Sequence, residues 1–225
     1  MKPNRIILIR HGESEGNINR SIYAERPDYS LELSEKGKEQ AREAGRHLSA
    51  LIGDEDVMMY VSPHWRTRMT CEEITLSFSE SQVKRREEPR IREQEWGHLR
   101  TEDLNKNIDV ERDAFGTFYY RFPDGESCAD VYDRVSGFFD TLFRDFEREN
   151  FPRNVIIVTH GMTIRVFLMR WYHWTVEEFE RVANPGNCEY FIMEKQPDHK
   201  FALITPLQYH QPRHSYQYPD RRNDR

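Results

Sequence analysis

Apolar positions along the chain follow two different periods. Ile6-Ile7-Leu8-Ile9, Val57 to Val61 and Val155 to Val158 are short and almost unbroken, as expected of strands buried on both faces of a parallel sheet. Other stretches repeat at helical spacing. Ala41, Ala44, Leu48 and Leu51 follow a Ser34 cap and end near Gly53. Val131, Val135, Phe138, Leu142 and Phe146 follow Ser127, whose partner Asp130 completes a capping-box pattern. Ser62-Pro63 predicts a cap and first-turn proline for a helix from about Pro63 toward Phe78, with Arg66 on its first turn. Another helix is expected from Gly161, a short strand around Val83 to Arg86, and late strands at Glu189 to Met193 and Phe201 to Thr205. Ile91 to Phe122 reads as irregular.

Strands alternating with helices predict an α/β fold: a three-layer α/β/α sandwich around a mostly parallel sheet, with a small cap insert at about 91–125. At 225 residues the chain suits one domain, taken as 1–207. The polar remainder, 208–225, lacks apolar periodicity and is expected to be mobile, although Tyr209, His210, His214, Tyr216 and Tyr218 give it an unusual share of rings.

Composition narrows the function. Charged residues make up 32% and hydrophobic residues 37%, with a mean hydropathy of −0.89, which describes a polar surface over a real core. A net charge of −6 argues against non-specific nucleic-acid binding, so any anion site must be local. The first apolar run is too short for a signal peptide or a membrane span, and a cytoplasmic location, with the nucleus as alternative, is expected. Cys71, Cys128 and Cys188 match neither a disulfide framework nor a zinc pattern and read as free thiols. No sequence feature specifies an oligomeric state.

The chemistry sits at strand ends, where open α/β sheets collect reactive groups. Arg10-His11-Gly12 follows the first strand, Ser62 to Arg66 the second, and His160-Gly161 the Val155 strand. Taken alone, a histidine after a strand is more often structural, and an arginine on a first helical turn is usually a solvated charge. Their coincidence at three strand ends reverses that reading. Two imidazoles and two guanidiniums in one pocket repel each other unless an anion fills it, and guanidinium forks match phosphate oxygens.

The residues also carry a family resemblance. Arg10-His11-Gly12-Glu13-Ser14-Glu15-Gly16-Asn17 resembles the signature of the histidine phosphatase superfamily, whose members include cofactor-dependent phosphoglycerate mutases and many phosphatases. The likeness continues in order through Leu33 to Gly37, Ser62 to Arg66, Ile91-Arg92-Glu93 with Trp96-Gly97, Gly125-Glu126-Ser127 and Thr159-His160-Gly161. It implies that His11 is a nucleophile that carries the phosphoryl group to water. It further implies that Arg10, Arg66 and His160 hold the phosphate, that Ser14, Asn17 and Gly161 contribute to phosphate or substrate binding, and that Glu93 is the acid. Glu95 competes for that last role, because a strand-like segment would point both carboxylates the same way. The implied partner is a phosphorylated small molecule or a phosphoprotein, with no nucleic acid, membrane, cofactor or metal.

Three rivals are weighed against this reading. A metal hydrolase is opposed by Arg10 and Arg66, which repel a cation. A non-catalytic phosphate-binding protein fits poorly with a full set of nucleophile, clamp and acid. A mutase needs a second anion site and a dry lid. The resemblance gives mutases a longer basic insert with adjacent arginines, whereas here Arg100, Lys106, Arg112 and Arg121 are scattered. Arg20 and Arg26 remain candidates for a second phosphate. Trp96, Tyr119, Tyr120 and Phe122 are candidates for an aromatic wall in the cap.

Overall fold

The predicted strands lie side by side in one sheet. The computed structural model describes residues 3–97 and 102–210. Its strands are β1 (Arg5–Arg10), β2 (Val57–Val61), β3 (Val83–Glu87), β4 (Asn154–Thr159), β5 (Tyr190–Lys195) and β6 (Phe201–Leu203). The helices are α1 (Glu15–Ile18), α2 (Glu35–Ile52), α3 (Trp65–Thr75), α4 (Glu102–Phe115), α5 (Cys128–Phe146), α6 (Gly161–Tyr172) and α7 (Val176–Arg181). The sheet order is β3-β2-β4-β1-β5-β6. β1 to β4 run parallel, and β5 lies antiparallel to β1 and β6.

The unbroken apolar runs are explained by two cores. Ile6 and Leu8 of β1, with Val155 and Ile157 of β4, pack against α5 and α6. The alternate residues Ile7, Ile9, Ile156 and Val158 pack against α2 and α3 on the other face. With side chains alternating across each strand, both faces must be apolar, and the three-layer α/β/α sandwich follows. No helix among the described residues is long and apolar enough to cross a membrane.

The helix expected from Pro63 begins instead at Trp65, with His64 as its cap, and ends at Thr75. Ser62 does not cap it, because its hydroxyl lies 2.7 Å from His160 Nε2. The stretch read as irregular contains α4, and α7 was not foreseen. Ile108, Tyr120 and Phe122 form a small cluster with Trp96, the rings of Trp96 and Tyr120 meeting Phe122 edge-on at 4.9 and 5.3 Å. Tyr119 stays exposed, so only three of the four candidate wall residues pack together. Ala183 N donates to Gln208 O and His210 N to Arg181 O, both at 2.8 Å, tying 208–210 to the body. Arg100, His214, Tyr216 and Tyr218 lie outside the described residues. The three cysteines are free and buried.

Candidate active site

Strand register brings the three clusters together. Arg10 pairs with Thr159 and Val61 with Val158, so His11, Ser62 and His160 leave the same edge of the sheet as neighbours. The helices after β1 and β2 cover one face and the helix after β4 covers the other, opening a crevice at that edge. Gly12 must be glycine here, since a Cβ would collide with the Gly37 carbonyl. An isolated bridge between Ser14 and Leu33 holds the signature loop against the start of α2.

His11 is buried and its tautomer is fixed. Nδ1 lies 2.7 Å from Gly12 O, and because a carbonyl only accepts, Nδ1 must carry the proton. Nε2 therefore has a free lone pair, at which Arg66 Nε points from 3.2 Å. Burial first, then the Arg66 and Arg10 guanidiniums, hold the His11 pKa well below the ordinary imidazole value. His160, buried and edge-on to His11 at 5.3 Å between ring centroids, is depressed for the same reasons: burial first, then Arg66 and His64.

Two buried nitrogens of the crevice, Arg10 Nε and His160 Nδ1, have no hydrogen-bond partner among the described residues. Arg10 gives one terminal nitrogen to Pro185 O at 2.6 Å, but its Nε is buried and unpaired. His160 Nδ1 is likewise unpaired, while Nε2 meets the Ser62 hydroxyl. With the N-terminus of α6 at Gly161, these groups form a cradle suited to an oxyanion. They offer no cation site, and no cluster of three or more His, Cys, Asp or Glu side chains suited to a metal occurs among the described residues.

The two glutamates part company. Glu93 faces the crevice within electrostatic reach of Arg66 and Arg10, and burial raises its pKa against the pull of Arg66. Glu95 is exposed, its backbone N–H donating to Glu126 Oε2 at 3.0 Å. The segment is not strand-like, so the expected common direction fails. Arg134 of α5 straps it down, donating to the backbone oxygens of Arg90, Arg92 and Glu93 at 2.6, 2.9 and 3.0 Å.

Ser14 is buried and its hydroxyl donates to Asn17 Oδ1 at 3.1 Å, which orders Asn17 beside it. Asn17 Oδ1 also accepts from Asn187 Nδ2 at 3.1 Å. Arg26 pairs with Glu15 at 2.9 Å and donates to Ser30 O at 2.8 Å. Arg20 is exposed.

The sequence reading missed Ser62 as a partner of His160, and it missed Asp28, His64, Arg134 and Asn187. Ser62 had a signal that pointed elsewhere, to a cap. The others became recognisable only through long-range contacts. His64 is a third buried imidazole, 4.8 Å from His160 between ring centroids, and burial followed by Arg66 lowers its pKa to about 4.

Three buried neutral imidazoles carry a stability cost in acid. The unfolded chain binds protons below about pH 6.5, where the folded His11, His64 and His160 do not. Stability should therefore fall as the pH drops through 6.5 toward 4, each imidazole contributing up to ~1.4 kcal/mol per pH unit. Melting in phosphate-free buffer from pH 7.5 to 5 should show this slope, and His64→Gln should reduce it. An unchanged slope in the variant would assign the acid sensitivity to other groups.

A crevice of this kind, on this sheet, is that of a phosphoryl-transfer enzyme built around a histidine. The chain belongs to the histidine phosphatase superfamily (branch 1), whose family model matches residues 6–204. It is 48% identical to phosphoglycerate mutase-like protein AT74H of Arabidopsis thaliana, across 86% of this chain and 75% of that protein. It is 30% identical to the broad-range acid phosphatase DET1 of Saccharomyces cerevisiae, across 92% and 90% of the two chains. In fold it resembles a mycobacterial glucosyl-3-phosphoglycerate phosphatase, with a TM-score of 0.73 at 21% identity over 91% of this chain and 99% of that one.

Proposed function

We propose that this member of the superfamily, a phosphatase, hydrolyses phosphomonoesters through a phosphohistidine on His11 Nε2. The observation that carries the reading is the fixed tautomer: a buried, neutral His11 with its free lone pair turned to an arginine N–H. In the first step Nε2 forms a bond to phosphorus while the bond to the leaving oxygen breaks, and protonated Glu93 gives that oxygen its proton. In the second, the Glu93 carboxylate takes a proton from water as the water oxygen attacks phosphorus. The nitrogen–phosphorus bond then breaks and inorganic phosphate leaves. Arg10, Arg66 and the His160 N–H stabilise charge on the phosphoryl oxygens, with Asn17 and Gly161 at the edge of the same cradle. No metal enters the scheme.

The segment at about 91–125 serves as a cap over this crevice within a single unit of residues 1–207, and the substrate is a phosphorylated small molecule or a phosphoprotein. The acid phosphatase name of the yeast relative favours hydrolysis over mutase chemistry, and Arg26 is already paired with Glu15. With a phosphoglycerate as substrate, release of inorganic phosphate should outpace isomer formation when both are followed in one reaction. Isomer formation that is faster by a large factor would make the chain a mutase.

A further inference from the structure

The end of Arg66 turned away from His11 is held by a residue with no sequence signal of its own. Asp28 stands in the 3-10 turn Asp28–Ser30, between the signature loop and α2. Arg66 Nη1 donates to the Asp28 backbone oxygen at 2.7 Å and lies 2.9 Å from Oδ1. Nη2 donates to Oδ2 at 3.0 Å. Backbone and side chain of one residue thus grip both terminal nitrogens, and the guanidinium cannot turn without breaking two charge-assisted hydrogen bonds and an ion-pair contact. The remaining Nε–H points at His11 Nε2 from 3.2 Å.

We propose that Asp28 is a positioning residue for phosphoryl transfer: it clamps the outer nitrogens of Arg66 so that the Nε edge faces the atom that receives the phosphoryl group. The inference rests on the phosphatase reading above. A planar fork binds phosphate well only in one orientation, and Lys or a loosely held Arg lacks that preset geometry. The other groups facing Asp28 fit the role. His64 Nδ1 lies 3.5 Å from Oδ2 but is held neutral, and Tyr23 and Glu93 are within electrostatic reach, so Arg66 is the cation Asp28 engages. Asp28 has a second effect through Glu93, whose pKa is raised by burial first and by Asp28 in addition. The opposite role, a carboxylate that blocks the clamp until substrate displaces it, predicts the opposite sign on removal.

The test compares the wild type, Asp28→Asn, Arg66→Lys and the double variant on nitrophenyl phosphate, with melting curves for each. Asp28→Asn should lower kcat roughly 10- to 100-fold, as misplacing a catalytic group does. In the Arg66→Lys background the same change should cost less than about twofold, because Asp28 acts through the fork that is already gone. Asp28→Glu, which keeps the carboxylate, should recover part of the rate and covers the case in which the asparagine variant is poorly folded. On an alkyl phosphate, Asp28→Asn should also move the alkaline limb of the pH profile to lower pH, since Glu93 loses a neighbour that raises its pKa. An equal fractional loss in both backgrounds, or a variant faster than wild type, overturns the positioning role. An Arg66→Lys enzyme as active as wild type would likewise overturn it, whereas a wild type that releases no phosphate from any monoester would instead overturn the phosphatase reading on which it rests.

Discussion

Replacing His11 with alanine is expected to abolish turnover while leaving the protein folded. Its backbone N–H is bonded to Thr159 O at 3.0 Å and its carbonyl accepts from Asn187 and Cys188, and none of these bonds needs the imidazole. The chemical loss is another matter, because no other described side chain presents a free, unprotonated nitrogen to the Arg66 fork. Removing a covalent nucleophile costs on the order of 10⁴-fold or more in kcat. Rapid quench of the wild type with labelled substrate should trap an acid-labile, base-stable adduct, and the variant should trap none. A His11→Ala protein that melts normally and still turns over would remove the central claim. A wild type that binds phosphate but never forms the adduct would favour a non-catalytic phosphate-binding protein.

Glu93→Gln carries the second large effect, and it depends on the leaving group. An alkoxide is a poor leaving group and needs a proton as the phosphorus–oxygen bond breaks, whereas a nitrophenolate departs readily without one. General acid catalysis is typically worth ~10²–10⁴-fold. The variant should lose most of that factor on an alkyl phosphate and much less on nitrophenyl phosphate, measured where phosphoenzyme formation limits the rate. Arg66→Ala should slow both substrates alike, because it acts on the phosphoryl group they share. The pH profile supplies an independent sign. Protonated Glu93 is the active form and burial raises its pKa, so wild-type activity on the alkyl ester should persist above the usual carboxylate range and fall as Glu93 ionises. That alkaline limb should vanish in the glutamine variant. Equal slowing of both esters, or the leaving-group dependence appearing in Glu95→Gln, would reassign the acid.

Whether Glu93 or Glu95 faces the crevice was a question of backbone path. From sequence, a spacing of two residues suggested a shared direction, as in a strand. The three backbone bonds from Arg134 hold this segment in another shape, with Glu93 in the crevice and Glu95 in solvent. Arg134 is 41 positions away from Glu93, and nothing local to Glu93 announces it. The helix after Ser62 erred for a related reason. A serine followed by proline is a sound local cap signal, but the hydroxyl is taken by His160, 98 positions later.

What the sequence determined by itself is what depends on local period and on residue type. The apolar runs required strands covered on both faces, the spacing of Ala41 to Leu48 and Val131 to Phe146 required helices, and the crowd of Arg10, His11, Arg66 and His160 pointed to an anion. Only the tertiary structure decided which atom of each group faces which. The Gly12 carbonyl fixes the His11 tautomer, Asp28 holds the outer nitrogens of Arg66, and Glu15 pairs with Arg26. Residue type sets what a side chain can donate or accept. Its protonation, orientation and availability are set by whichever neighbours the fold brings within about 3 Å, the hydrogen-bonding range, and those neighbours here come from distant parts of the chain.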